Sequence, residues 1–144
     1  MSMKTHVEFR SDQFPADPDE DEVVNPGLYG RRIAEFLAEG LRSQGFEVAK
    51  PLPEDWGWVV EMENKEFPLW IGCGHQGEYP DDFLCFIEPH KPEIWRLLKR
   101  VNTTEHVQSL HEAIDNILRA HPGIRDIRWW TYEEFNNPPK QMKE

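Results

Sequence analysis

This sequence predicts an α+β domain with helices packed on a mainly antiparallel sheet, and three observations carry that prediction. Strand-like runs at 58–62, 67–73 and 83–87 follow one another with connections too short for crossover helices, so they form a meander. Stretches on either side of them repeat apolar residues at helical spacing. The 144 residues, 38% hydrophobic and 12% aromatic, suffice for one core and are too aromatic for a chain that stays unfolded.

Taken in order, Val7-Glu8-Phe9-Arg10 alternates as a short half-buried strand does. Clustered acids and three prolines then make 12–26 an exposed loop. Its Asp17, Asp19 and Asp21 begin like a calcium loop, but Glu22 and Leu28 stand where that loop needs glycine and a bidentate glutamate. Tyr29, Ile33, Phe36, Leu37 and Leu41 predict a helix over about 28–44, closed by Gly45. Phe46-Glu47-Val48 is a short extended piece, and Pro51-Leu52-Pro53 imposes irregular backbone.

In the meander, Trp58, Val60 and Met62 share one face, and Phe83-Leu84-Cys85-Phe86-Ile87 is apolar at every position, as in a strand covered on both faces. Ile94, Leu97, Leu98 and Val101 at i, i+3, i+4 and i+7 predict a helix opened by Pro92. A second helix starts near Asn102 and carries Val107, Leu110, Ile114, Ile117 and Leu118. Ile124–Trp129 alternates as the last strand, and Trp129 and Trp130 point to opposite faces. The expected core includes Trp58, Leu69, Ile71, Phe86, Ile33, Leu37, Leu110 and Ile114.

Strand, helix, meander, two helices, strand is an order that resembles the ferredoxin-like split βαβ arrangement with an added strand. The chain reads as one domain over 1–144, with the acidic loop 12–26 and the tail 136–144 loosely ordered.

Composition narrows the function classes. Twenty-seven acidic residues against 16 basic ones give a net charge of −11, a field that repels nucleic-acid phosphates and anionic lipid. No apolar stretch follows the N-terminal residues and none spans a bilayer, and Cys73 and Cys85 sit in apolar runs, so a cytoplasmic protein with reduced thiols is expected.

The chemical motifs are incomplete. Gly72-Cys73-Gly74-His75-Gln76-Gly77 matches a dinucleotide fingerprint, but the chain then runs through two aspartates into a strand, with no helix to bind pyrophosphate. Cys73, His75, Cys85 and His90 are zinc-ligand types without zinc-knuckle spacing. His75, Asp81, Asp82, Glu88 and His90 could gather at one sheet end, but no nucleophile motif joins them. No catalytic residue, metal or cofactor is therefore expected.

Two segments stand out as binding candidates. The connection 74–82 is longer than most hairpin loops and carries His75, Gln76, Glu78, Tyr79, Asp81 and Asp82. Asp55 and Trp56 lie on the approach to a strand, where an indole can pack against a partner. The expected function is a non-enzymatic binding protein that presents this acidic, aromatic surface to a protein partner, a basic one being the obvious complement. The alternative is a small-molecule-binding or catalytic pocket near the 74–82 loop.

Overall fold

The apolar-bearing runs at 4–10, 57–62, 69–75 and 82–88 pair into one sheet because each buries a face against the same two helices. In a computed structural model that describes residues 3–137, the elements are β1 (Lys4–Arg10), α1 (Arg31–Ser43), β2 (Leu52–Glu54), β3 (Gly57–Met62), β4 (Leu69–His75), β5 (Asp82–Glu88), β6 (Glu93–Arg96), β7 (Lys99–Asn102), α2 (Thr104–Ala120), β8 (Arg125–Thr131) and α3 (Tyr132–Asn136). The large sheet has the order β2-β3-β4-β5-β1-β8, antiparallel at every pairing, and β6 and β7 form a separate hairpin. The predicted meander is β3-β4-β5. No helix among the described residues is long and apolar enough to cross a membrane.

Both long helices lie on one face of the sheet. Ile33, Leu37 and Leu41 of α1 and Val107, Leu110, Ile114 and Leu118 of α2 bury against Val7, Phe9, Trp58, Val60, Ile71, Cys73, Phe83, Cys85 and Ile87. Each large apolar side chain buried here contributes roughly 1.5–3 kcal/mol. The helices approach closely at Gly40, where an added Cβ would come within 2.9 Å of the Ile117 side chain.

The acidic segment after β1 is exposed along most of its length, but Phe14, Glu20 and Val24 anchor it. Glu20, in a one-turn 3₁₀ helix, is 1% exposed. Its Oε2 accepts from the backbone N–H of Gly30 (2.7 Å) and Arg31 (3.0 Å) and from Trp58 Nε1–H (2.9 Å), while Oε1 accepts from Asp17 N–H at 2.8 Å. No side chain at Gly30 caps α1, so this carboxylate, ten residues upstream, does the capping and sits at the positive end of the helix. Asp17, hydrogen-bonded by Arg32 and also by Arg31, is held below the usual carboxylate range.

Three sequence expectations are corrected. The helix expected from Pro92 to Val101 is the β6–β7 hairpin, in which Ile94 and Val101 are cross-strand partners. Spacing of i and i+7 brings two residues together in a tight hairpin as well as on a helix, and a helix this short is marginal by itself. Leu97 and Leu98 form the turn, both with left-handed φ (48° and 67°), a geometry that costs a leucine about 1 kcal/mol or more. Leu52–Glu54, expected to be irregular, pairs with β3 as an edge strand, where proline is tolerated. β5 is covered by helices on one face only, so Phe86 lies on the opposite face and outside the helix-covered core. The other seven expected core residues are buried.

At the end of the last strand α3, which the sequence reading did not include, follows β8 at once. Its start has a full capping box: Glu134 N–H donates to Thr131 Oγ1 and Thr131 N–H to Glu134 Oε1. Of the expected loose tail 136–144, residues from 138 on lie outside the described residues.

Glu20 supplies a stability test. Glu20→Ala leaves four N–H groups without their acceptor and should lower the unfolding free energy in urea by about 3–5 kcal/mol. Exposed Asp21→Asn should change it by less than about 0.5 kcal/mol. Similar effects at the two positions would show that the buried carboxylate has no special role.

Candidate functional site

Among the described residues the sheet face away from α1 and α2 carries no long helix, and alternation along each strand decides what that face presents. Register places Leu52, Val59, Gly72, Phe86, His6 and Trp130 in one row across β2, β3, β4, β5, β1 and β8. On one side of it runs Glu61-Trp70-Glu88, on the other Gly74-Leu84-Glu8-Arg128. An aromatic and glycine-lined strip thus lies between carboxylates.

The strip is concave. Phe86 lies over Gly72, where an added Cβ would come within 2.4 Å of the ring, so only glycine lets this phenyl settle onto the sheet. Trp56 leans in from the β2–β3 turn, its ring 5.4 Å from Phe86 and 6.0 Å from Trp70. With Leu28, Gly74, His75, Gln76 and Leu84 these rings enclose a cavity of about 440 Å³. Its polar end is made by Gln76, whose Nε2 donates to Glu8 Oε2 at 2.6 Å. Beside them Asp82 is pushed above the usual carboxylate range, chiefly by burial and further by Glu8.

The connection after β4 is well tied. Each ring nitrogen of His75 faces a carbonyl oxygen, Nδ1 that of Gly27 at 2.8 Å and Nε2 that of Tyr79 at 2.6 Å. Carbonyls only accept, so the ring donates to both only when it carries both protons. Tyr29 stacks on His75 at 4.5 Å and donates its hydroxyl to Pro80 O. Asp81 takes Arg10 at 2.8 Å and Arg125 at 2.5 Å, and these bonds, Arg10 first, hold it below the ordinary carboxylate range. Tyr79 is exposed, with the Arg10 guanidinium 5.0 Å from its ring centre.

The structure therefore divides the residues singled out in the sequence. Trp56 and His75 line the groove, and Asp82 stands at its polar end. Asp81 is used in ion pairs, and Glu78 and Tyr79 lie outward on the loop. Asp55 holds the preceding loop through its backbone carbonyl, which accepts from Asn25 N–H. Gln76, also carried by the loop singled out in the sequence, makes the groove's polar end, whereas sequence reasoning missed Leu28, Trp70, Leu84 and Phe86. The uninterrupted apolar run of β5 was the available mark of Leu84 and Phe86, because its second apolar face is the groove floor.

No known protein family, curated protein or solved structure matches this chain.

Among the described residues no three His, Cys, Asp or Glu side chains are placed to hold a metal. Cys73 and Cys85 are register partners, buried on the helix side and unbridged, and burial together with Cys73 pushes the Cys85 thiol well up. His90 is on the other side, stacked on Tyr132 at 3.8 Å and bonded to Glu88 at 2.9 Å. Trp129 faces α2, stacking on His111 and donating to Asp115 Oδ1 at 2.9 Å. Trp130 faces the open side beneath Arg128, and its buried Nε1–H has no acceptor among the described residues.

His6, beside the groove, is stacked between Phe86 and Phe135. Burial, reinforced by His90 and opposed by Glu133, lowers its pKa to about 4. Because the folded state prefers the neutral ring, this contribution to stability is complete above an unfolded-chain pKa of about 6.5 and is lost as pH falls towards 4. The full loss is about 3 kcal/mol. Urea midpoints at about pH 7 and about pH 5 should consequently differ less for His6→Phe than for the wild type. An identical pH slope in the two proteins would rule this ring out as a source of acid sensitivity.

Proposed function

We propose that this chain is a non-enzymatic binding protein whose open sheet face receives a segment of a protein partner carrying apolar and basic side chains together. The observation that carries this is the groove itself: an aromatic floor formed by Trp56, Trp70 and Phe86, with Glu61 and Glu88 flanking Trp70 and Glu8 and Asp82 at the far end. Aromatic anchors supply affinity, and carboxylates at both ends select cations and speed their approach. A small apolar molecule with a polar end is the second candidate, favoured by a cavity volume within the ~300–1,000 Å³ range of such sites.

Two finer features belong with this proposal. The order β8-β1-β5-β4, with α1 after β1 and α2 before β8 on one face, supports a ferredoxin-like split βαβ core to which β2, β3 and the β6–β7 hairpin are added. Unbridged Cys73 and Cys85, opposite one another, suit work in the reducing cytoplasm.

Kinetics on proteins captured from native extract test the main proposal. Trp56→Ala should mainly hasten dissociation, costing on the order of 2 kcal/mol. Amides at Glu61, Asp82 and Glu88 should mainly slow association, and so should salt, which screens charge beyond ~8 Å at physiological strength. Association and dissociation indifferent to Trp56 and to salt would defeat it. A metabolite that stabilises the wild type to heat but not Trp56→Ala would favour the small-molecule site instead.

A further inference from the structure

The β6–β7 hairpin is built unlike the rest of the molecule. Leu97 and Leu98 at its tip are 91% and 94% exposed, and Trp95 just behind them is 68% exposed. Residues 93–102 hold Arg96, Lys99 and Arg100 and one carboxylate, Glu93 at the base, so this arm carries +2, all of its cations towards the tip, and leaves −13 on the remainder of a chain whose net charge is −11. Arg96 and Lys99 face each other in register, a like-charge pair that gains from an anionic neighbour. Arg100 lies over Trp95 at 5.4 Å. Four residues per strand give the arm a reach of ~13 Å, longer than the ~8 Å screening length, so its tip presents its own charge and not that of the acidic body.

The leucines hold left-handed backbone geometry that asparagine and glycine adopt more readily. Folding alone does not favour leucine at these positions, whereas an apolar contact made by the tip does.

We infer that the arm of one copy of this chain docks in the open-face groove of a second copy, the two copies exchanging arms as a two-fold dimer. The exchange rests on the groove accepting apolar and basic side chains, as proposed above. Each protomer holds both halves of the contact: an apolar tip with cations beside it, and an aromatic groove with carboxylates at its ends. Such a self-complementary arrangement closes at two subunits. Covering two leucines at roughly 100 Å² each and the exposed part of Trp95 at roughly 150 Å² removes ~350 Å² of arm per protomer. With the matching groove surface and the two-fold copy, ~1,400 Å² is buried, within the ~1,200–2,000 Å² of stable interfaces. An anionic membrane, the other surface that could take such a tip, would also meet the −13 body, which repels it.

Sedimentation velocity on the full chain over a wide concentration range tests the exchange. The wild type should reach a dimer. Replacing Leu97→Asn together with Leu98→Gly puts the preferred residues of this turn at its tip, keeping the hairpin while removing the apolar contact, and should yield a monomer. Trp56→Ala, altering the groove, should also weaken the dimer by tenfold or more in dissociation constant. Mixing the two variants restores one intact arm-and-groove contact, so the mixture should associate more strongly than either variant by itself. A wild type that stays monomeric, a turn variant that still dimerises, or a mixture no stronger than its components overturns the exchange. Flotation of a monomeric wild type with phosphatidylserine vesicles would overturn it in favour of lipid. A monomer that still binds its partner through Trp56 would overturn the exchange while leaving the function proposed for the groove intact.

Discussion

Glu20 is the group on which the arrangement of the site depends. A buried carboxylate must have its lone pairs met, and here four N–H donors from three parts of the chain meet them: the acidic segment, the first turn of α1, and Trp58 on β3. One side chain thereby sets where α1 begins relative to β3 and where the 24–29 loop runs. That loop supplies Leu28 to the groove wall, Gly27 O to His75, and the Tyr29 ring that stacks on His75. The acid-rich stretch, which composition alone marks as solvated, is thus a structural strap at its centre.

The groove exists because the two faces of the sheet are treated differently. Both helices that could have covered the sheet follow connections that leave them on one side, so the opposite face of β4 and β5 must satisfy itself. Large side chains there would stand apart as a row of exposed rings. Glycine at 72 lets Phe86 lie down, and Trp56 then covers its edge from the β2–β3 turn. At the β8 side α3 takes over that role, with Phe135 and Tyr132 against His6. Between these two covers the strip stays open.

How much of this was legible follows from the kind of signal each element carries. Alternation in β3, the uniform apolarity of β5 and the long stripes of α1 and α2 identified those elements because tertiary burial and local periodicity agree there. Residues 94–101 misled because Ile94 and Val101 meet in a hairpin as they would on a helix, and only the pairing of the two strands distinguishes the cases. For the site, the G-x-G pair was noticed and set aside as a phosphate loop. Its actual use, leaving room on a strand for an aromatic ring, depends on Phe86 from the neighbouring strand, and a single sequence does not reveal that partnership. Leu84 and Phe86 were read as covered for the same reason: apolar residues on a second sheet face look alike whether a helix or open solvent lies above them.

Net charge is a similarly coarse guide, because many of the carboxylates are consumed inside the molecule. Glu20 caps α1, Asp17 holds Arg31 and Arg32, Asp81 holds Arg10 and Arg125, Asp115 binds Trp129 and Arg119, and Glu134 completes the α3 cap. Asp81 and Asp82 show how local the distinction is. Two arginines depress the first, whereas burial and Glu8 raise the second, although they are adjacent in sequence. What a partner meets around the groove is therefore Glu61 with Glu88, which also holds His90, at one end and Asp82 with Glu8, which also holds Gln76, at the other, with aromatic surface between the two groups. Specificity then depends on the separation of those two groups more than on the sum of charge, since a cation reaching one end gains only if its apolar body also fits the floor.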